Sequence, residues 1–161
     1  MKVIKGIINV LTTLIIVVGG LFVLLYICGI VPYVVLSGSM EPTIKTGSLC
    51  FINKHAKFNN VKEKDIIAFK LADNTLVTHR AISIRDNKIQ TKGDHNKAAD
   101  NDFVTKNSFV GKNIFWLPKL GYVVIAFQST RGKIILITLV ILLLIFGFFF
   151  SEKNNKKEEN N

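Results

Sequence analysis

The sequence carries two cysteines, three prolines and one tryptophan in 161 residues. Two cysteines make no disulfide framework, and Cys28, inside an apolar run, has no geometric reason to pair with Cys50 in a strand-like segment. Internal repeats are absent. Acidic residues are scarce, 11 against 21 Lys and Arg, giving a formal charge of +10. Such an excess raises nucleic acid as a partner, so its placement matters. Between Pro32 and Thr130 stand 14 Lys or Arg against 8 Asp or Glu, an excess of 6, with no basic stripe interleaved with aromatics. That spread fits a solvated face or attraction to anionic headgroups. Membrane lipid is the expected partner, and nucleic acid is not.

Charge is missing altogether from Ile7 to Leu36 and from Ile134 to Phe150. A bilayer core takes roughly 20 apolar residues to cross, with a lower limit near 17, so both runs predict membrane helices. The first is too long for the roughly 7 to 15 apolar residues of a cleavable signal, and no A-x-A-like site follows it. Lys2 and Lys5 precede the first run, and Lys153, Lys156 and Lys157 follow the second. Positive residues stay on the cytoplasmic side, so both termini are expected there, although Arg131 and Lys133 vote the other way. The expected layout is a cytoplasmic start at 1–6, a membrane helix at 7–31, an extracytoplasmic domain at 32–130, a second membrane helix at 131–150 and a disordered cytoplasmic tail at 151–161. The protein is thus expected in the cell membrane as a multi-pass chain.

Between the spans the pattern is β. Ser48–Ile52, Asp65–Leu71, Leu76–Ile84 and Lys88–Thr91 are short runs rich in Ile, Val and Phe, separated by Asp73-Asn74 and Asp86-Asn87 turn signals. Asp86-Asn87 between alternating runs predicts a tight hairpin. That hairpin makes His79 and the loop from Asp94 to Asp102 neighbours. Gly121–Phe127 (GYVVIAF) is also expected as a strand. The fold class is mostly β, a small β domain flanked by N- and C-terminal transmembrane helices.

Chemistry has few candidate bearers. A serine becomes a nucleophile when a base takes its proton and a third group orients that base. Ser39, in the Ser37-Gly38-Ser39-Met40-Glu41-Pro42 turn, has small and rigid neighbours that expose a hydroxyl; the same context suits an ordinary turn serine. His79 shares its strand face with Val77 and Ala81, a setting for a core histidine or for a neutral general base. Asp94, Asp100 and Asp102 supply acids in one polar loop. With His95 they also suggest a metal site, but the ligand spacing is not compact. Lys70, at the end of its strand, is an alternative base.

Taken in order, Ser37–Pro42 (SGSMEP), Asp65–Phe69 (DIIAF), Val77–Ile82 (VTHRAI), Thr91–Asp100 (TKGDHNKAAD) and Leu117–Val123 (LPKLGYV) resemble the motif series of type I signal peptidases, peptidase family S26. The resemblance covers nearly all of Val35 to Val123. Bacterial housekeeping members of that family use a Ser/Lys pair, whereas archaeal, endoplasmic-reticulum and some Gram-positive sporulation-type members carry His in the base position. His79 stands there. The resemblance implies a signal-peptidase-type β catalytic domain and a membrane-bound serine endopeptidase that cuts signal peptides from exported preproteins after small residues. It implies Ser39 as nucleophile, His79 as general base and Asp100 as the orienting acid, with Asp94 in support and Ser37 with the Ser39 N–H as oxyanion donors. It implies no cofactor and no metal, and it admits an accessory membrane subunit. Three positions depart from the family pattern: Lys64 where many members carry Gly, His95 where Asn is common, and Asp102 as an extra carboxylate. A noncatalytic adaptor that binds signal peptides, with Ser39 as a turn residue, is the rival from another class.

Overall fold

In a computed structural model, residues 2–138 and 140–142 are described. The chain divides into two units, Met1–Gly121 and Tyr122–Asn161. The first unit opens with helix α1, Lys2–Ile27. Its stretch from Asn9 to Ile27 has a mean hydropathy of 2.7 with none of it buried, long and apolar enough to cross a membrane. Such a helix matches lipid rather than a protein core.

The helix stops four residues short of the expected end at residue 31. Gly29 adopts φ +72°, the left-handed conformation that glycine tolerates at a helix C-terminus. Beyond it, Ile30–Val34 forms strand β1 rather than helix. Pro32 cannot extend a helix but is tolerated on an edge strand. Apolar content alone does not distinguish the helical part of the run from the part that joins the sheet.

Five further strands follow: β2 Leu49–Asn53, β3 Ile66–Lys70, β4 Leu76–Arg85, β5 Lys88–Lys92 and β6 Phe109–Leu117. They form one sheet in the order β1-β2-β6-β3-β4-β5, and every neighbouring pair is antiparallel. The expected strands from Ser48 to Thr91 are present with ends shifted by one residue or so. Strand β6 was not expected. Gly111, Lys112 and Asn113 break its alternation, yet it lies between β2 and β3 at the centre of the sheet. Gly111 is required there, because a Cβ would lie 2.4 Å from the Asn53 carbonyl oxygen.

Strand β3 explains why the sheet is covered on both sides. Successive side chains point to opposite faces, and all of Ile66 to Phe69 are buried. Ile67 and Phe69 join Phe58, Val61, Ala81, Ile89 and Val104 on one face. Ile66 and Ala68 join Met40, Ile44, Cys50 and Ile52 on the other. The β4–β5 hairpin turns through Asp86 and Asn87, with φ of 49° and 56°, the two left-handed residues of a type I′ turn.

The expected strand at Gly121–Phe127 is instead helix α2, Leu120–Gln128. Its β-branched residues favour a strand by propensity, but no sheet edge receives them. An apolar segment without a partner strand satisfies its backbone only as a helix. Gly121, the last residue of the first unit, donates its N–H to the Gly47 carbonyl at 2.9 Å. A Cβ there would sit 2.7 Å from that same oxygen. Thr130–Leu142 is again helical, and with α2 it makes a bent pair long and apolar enough for one span. The rest of the expected second span, 143–150, and the tail 151–161 lie outside the described residues.

Candidate active site

Strand β4 delivers His79. Its neighbours on the strand face are Val77 and Ala81, and the imidazole is buried, with 7% of the residue exposed. The Phe69 ring meets it edge-on, centroids 6.2 Å apart. Ser39 arrives on the turn after β1, which is anchored by buried Met40 and Ile44. The Glu41 carboxylate accepts from the Thr46 N–H at 3.2 Å and its hydroxyl at 3.1 Å. The backbone bond from Thr46 is the main reason that this carboxyl is held below the usual range. The turn is thus closed on itself beside the serine.

A second segment holds the serine from behind. The His95 N–H donates to the Ser39 carbonyl at 2.9 Å. Gly93 makes that approach possible, since a Cβ there would lie 2.6 Å from the same oxygen. His95 therefore contributes its backbone to the site, and its side chain is exposed.

Three side chains connect in series. Ser39 Oγ lies 3.0 Å from His79 Nε2, and His79 Nδ1 lies 2.7 Å from Asp100 Oδ2. A carboxylate only accepts, so Nδ1 carries the proton toward Asp100 and Nε2 of a neutral ring is free to accept from the serine. Ser37 Oγ stands 3.3 Å from Ser39 Oγ. Asp100 is itself fixed by β5, as its N–H donates to the Thr91 carbonyl at 2.8 Å and its Oδ2 accepts from the Thr91 hydroxyl at 2.6 Å.

The other acids go elsewhere. Asp94 takes a two-pronged contact from Arg80, Nε to Oδ1 at 2.8 Å and NH2 to Oδ2 at 2.6 Å. Arg80 also reaches the Lys64 carbonyl at 2.9 Å. The guanidinium holds the Asp94 carboxyl below its usual range, against the opposing effect of burial. Asp102 is exposed. Lys70 is exposed at the end of β3, and among the described residues no hydrogen bond joins it to Ser39. No group of three or more His, Cys, Asp or Glu that could hold a metal occurs among the described residues. Buried Cys50 has its thiol pushed up to about 11 by desolvation.

Two residues of this neighbourhood escaped the sequence reading, Thr91 and Arg80. Counting the hairpin register from Asp86-Asn87 would have set Thr91 opposite Ile82, on the other face; a bulge between Ala81 and Ser83 shifts it opposite Ala81, and nothing in the sequence signals that bulge.

A six-stranded antiparallel sheet on an apolar helix, with a serine, a histidine and an aspartate in hydrogen-bonded series, has the arrangement of a nucleophilic serine site. A family model described as signal peptidase, peptidase S26 matches residues 7–103, and the chain belongs to that family. Among relatives, signal peptidase I W of Bacillus subtilis (strain 168) is 43% identical over 70 residues, 41% of this chain and 37% of the relative. The signal peptidase complex catalytic subunit SEC11 of Colletotrichum graminicola is 31% identical over 108 residues, 60% of this chain and 63% of the relative. The SEC11C subunit of Canis lupus familiaris is 32% identical over 109 residues, 60% and 56% respectively. The chain thus spans less than two thirds of the length of each of these relatives.

Proposed function

We propose that this protein is a membrane-bound signal peptidase I, a serine endopeptidase that removes N-terminal signal peptides from exported preproteins. The hydrogen-bonded series from Ser39 through His79 to Asp100 carries the reading. Ser39 Oγ attacks the scissile carbonyl while its proton passes to His79 Nε2. The tetrahedral oxyanion receives hydrogen bonds from the Ser39 N–H and the Ser37 hydroxyl. As the C–N bond breaks, Nε2 returns its proton to the leaving amine, and water then hydrolyses the acyl-enzyme by the same relay. Asp100 keeps Nδ1 protonated and the ring aimed, and Asp94 supports the loop from a distance through Arg80.

A cavity of about 250 Å³ opens beside Ser39, lined by Tyr33, Val35, Met40, Ile44, Leu76 and Thr78 among others. Its size and apolar walls suit small residues of an extended peptide before the cut. Such a peptide can add to exposed backbone between β1 and β4. The reading places the β domain on the extracytoplasmic face, with α1 and a second span near 131–150 crossing the membrane and both ends in the cytoplasm. Lys2 and Lys5 before α1 and three lysines after the second apolar run support it. Membrane lipid is a partner by virtue of α1, and an accessory membrane subunit fits the two SEC11 relatives, which are named as parts of a complex.

The test is cleavage of a model preprotein by the purified, detergent-solubilised chain. Ser39→Ala and His79→Ala should each lower turnover by about a thousandfold or more. Binding of signal peptide without turnover in the wild type, unchanged in Ser39→Ala, would favour a noncatalytic adaptor. Turnover surviving His79→Ala but lost in Lys70→Ala would move the base to the lysine.

A further inference from the structure

Building on the peptidase reading, we propose that Thr91 is a positioning residue for the reaction, holding the Asp100 carboxylate on the axis along which His79 becomes charged. The oxygen of Asp100 that meets His79 Nδ1 at 2.7 Å also accepts the Thr91 hydroxyl at 2.6 Å. The two donors reach that oxygen from different elements, His79 from β4 and Thr91 from β5. Thr91 pairs with Ala81, and Ala81 shares a face with His79, so the hydroxyl sits diagonally across from the imidazole. Thr91 is fully buried.

The rest of the contact is a clamp. The Thr91 carbonyl accepts the Asp100 N–H at 2.8 Å, and the Gln90 amide donates to the Asp100 carbonyl. Two consecutive residues of β5 thus fix the backbone of Asp100, and the Thr91 side chain fixes its carboxylate. A carboxylate left to itself turns about its terminal torsion in a broad well, and a fifth of the Asp100 side chain is exposed to water. The threonine removes that freedom before substrate arrives, which is when orientation contributes to rate. No proton passes through Thr91. It acts on Asp100, which acts on the imidazole.

The experiment compares Thr91→Val, which keeps shape and removes the hydroxyl, with Thr91→Ser, which keeps the hydroxyl, in the full detergent-solubilised chain. Thr91→Val should lower kcat about tenfold with KM unchanged, and Thr91→Ser should restore it. With one donor fewer, Asp100 pairs more strongly with the imidazolium, so the acid limb of the kcat/KM profile should move to higher pH. In an Asp100→Asn background, Thr91→Val should cost nothing further. Should the valine variant fail to fold, Thr91→Ala against Thr91→Ser carries the same comparison. Wild-type kcat in Thr91→Val beside an inactive Ser39→Ala overturns this inference alone, as does a full tenfold loss persisting in the Asp100→Asn background. Wild-type cleavage by Ser39→Ala overturns the peptidase reading and this inference together.

Discussion

His79 and Arg80 are adjacent in β4, yet they serve two separate ion-pair regions. On one face His79 meets Asp100 at 2.7 Å, and on the other Arg80 grips Asp94. Both acids come from a single loop that straddles the strand. Strand alternation is what divides them: a one-residue displacement in β4 would exchange their partners. The comparison teaches that proximity in sequence to the proposed base says little about function, whereas the parity of the strand position says a great deal. The Asp100 region couples to the His79 imidazole and, through it, to the Ser39 hydroxyl. The Asp94 region couples to a guanidinium that stays charged and to the Lys64 carbonyl, and its work is to hold the loop.

The largest expected difference between the regions is in turnover. Asp100→Asn should lower kcat by about 10³ to 10⁴-fold, with signal-peptide binding retained. Asp94→Asn should reduce turnover by about tenfold at most and instead cost about 1.5–3 kcal/mol of stability, the worth of charge-assisted hydrogen bonds in a mostly buried pair. Preprotein cleavage and urea unfolding of the two variants measure both quantities, and equal losses of turnover would erase the distinction.

Acid provides a finer division. Arg80 depresses the Asp94 carboxyl, so the stability from that pair is present above the ordinary carboxylate value, about 4. It is lost as pH falls through the lower folded value. The stability gap between wild type and Asp94→Asn should therefore hold from pH 7 to about 5 and narrow below about 4. Urea midpoints across that range read it, and a gap that widens in acid would reverse the sign assigned to the pair.

The smallest effect concerns Lys64, whose carbonyl anchors Arg80. Its φ is +73°, a left-handed conformation that costs a non-glycine residue about 1–2 kcal/mol. Lys64→Gly should raise stability by up to about 1 kcal/mol once the flexibility of glycine is set against it, with turnover unchanged. A fall in the urea midpoint would show that the lysine side chain does more than tolerate the turn.

Much of this site was legible in the sequence because it depends on local signals. The Asp86-Asn87 turn and the alternation of Val77, His79 and Ala81 fix which face His79 takes, and the turn at Ser39 ends an apolar run. The choice between Asp94 and Asp100 was not legible by geometry, since it depends on the path of a loop across a strand; the family resemblance favoured Asp100, and His79 Nδ1 lies 2.7 Å from its Oδ2. The fold was less transparent where local preference and tertiary setting disagree. β6 hides behind Gly111, Lys112 and Asn113: the Lys112 ammonium is accommodated by Asp65 at 2.7 Å, whereas Asn113 is buried with its Oδ1 lacking a hydrogen-bond partner among the described residues. α2 hides behind β-branched residues. The departure at Lys64, noted in the sequence only as an absent glycine, turns out to mark a backbone position that glycine would suit.

The junction between α1 and β1 gives the molecule a fixed measure. Only Cys28 and Gly29 separate the helix from the sheet, a reach of roughly 7 Å when extended. The joint is also tied, since the Gly29 carbonyl accepts the Lys54 N–H at 2.8 Å and its Cα leaves no space for a Cβ beside the His55 ring. A protein tethered through a long supple linker would sample many heights above a bilayer. This one has little slack, so on the peptidase reading the depth at which Ser39 can reach a peptide bond is set by the joint itself, as the length of a handle sets where a blade falls.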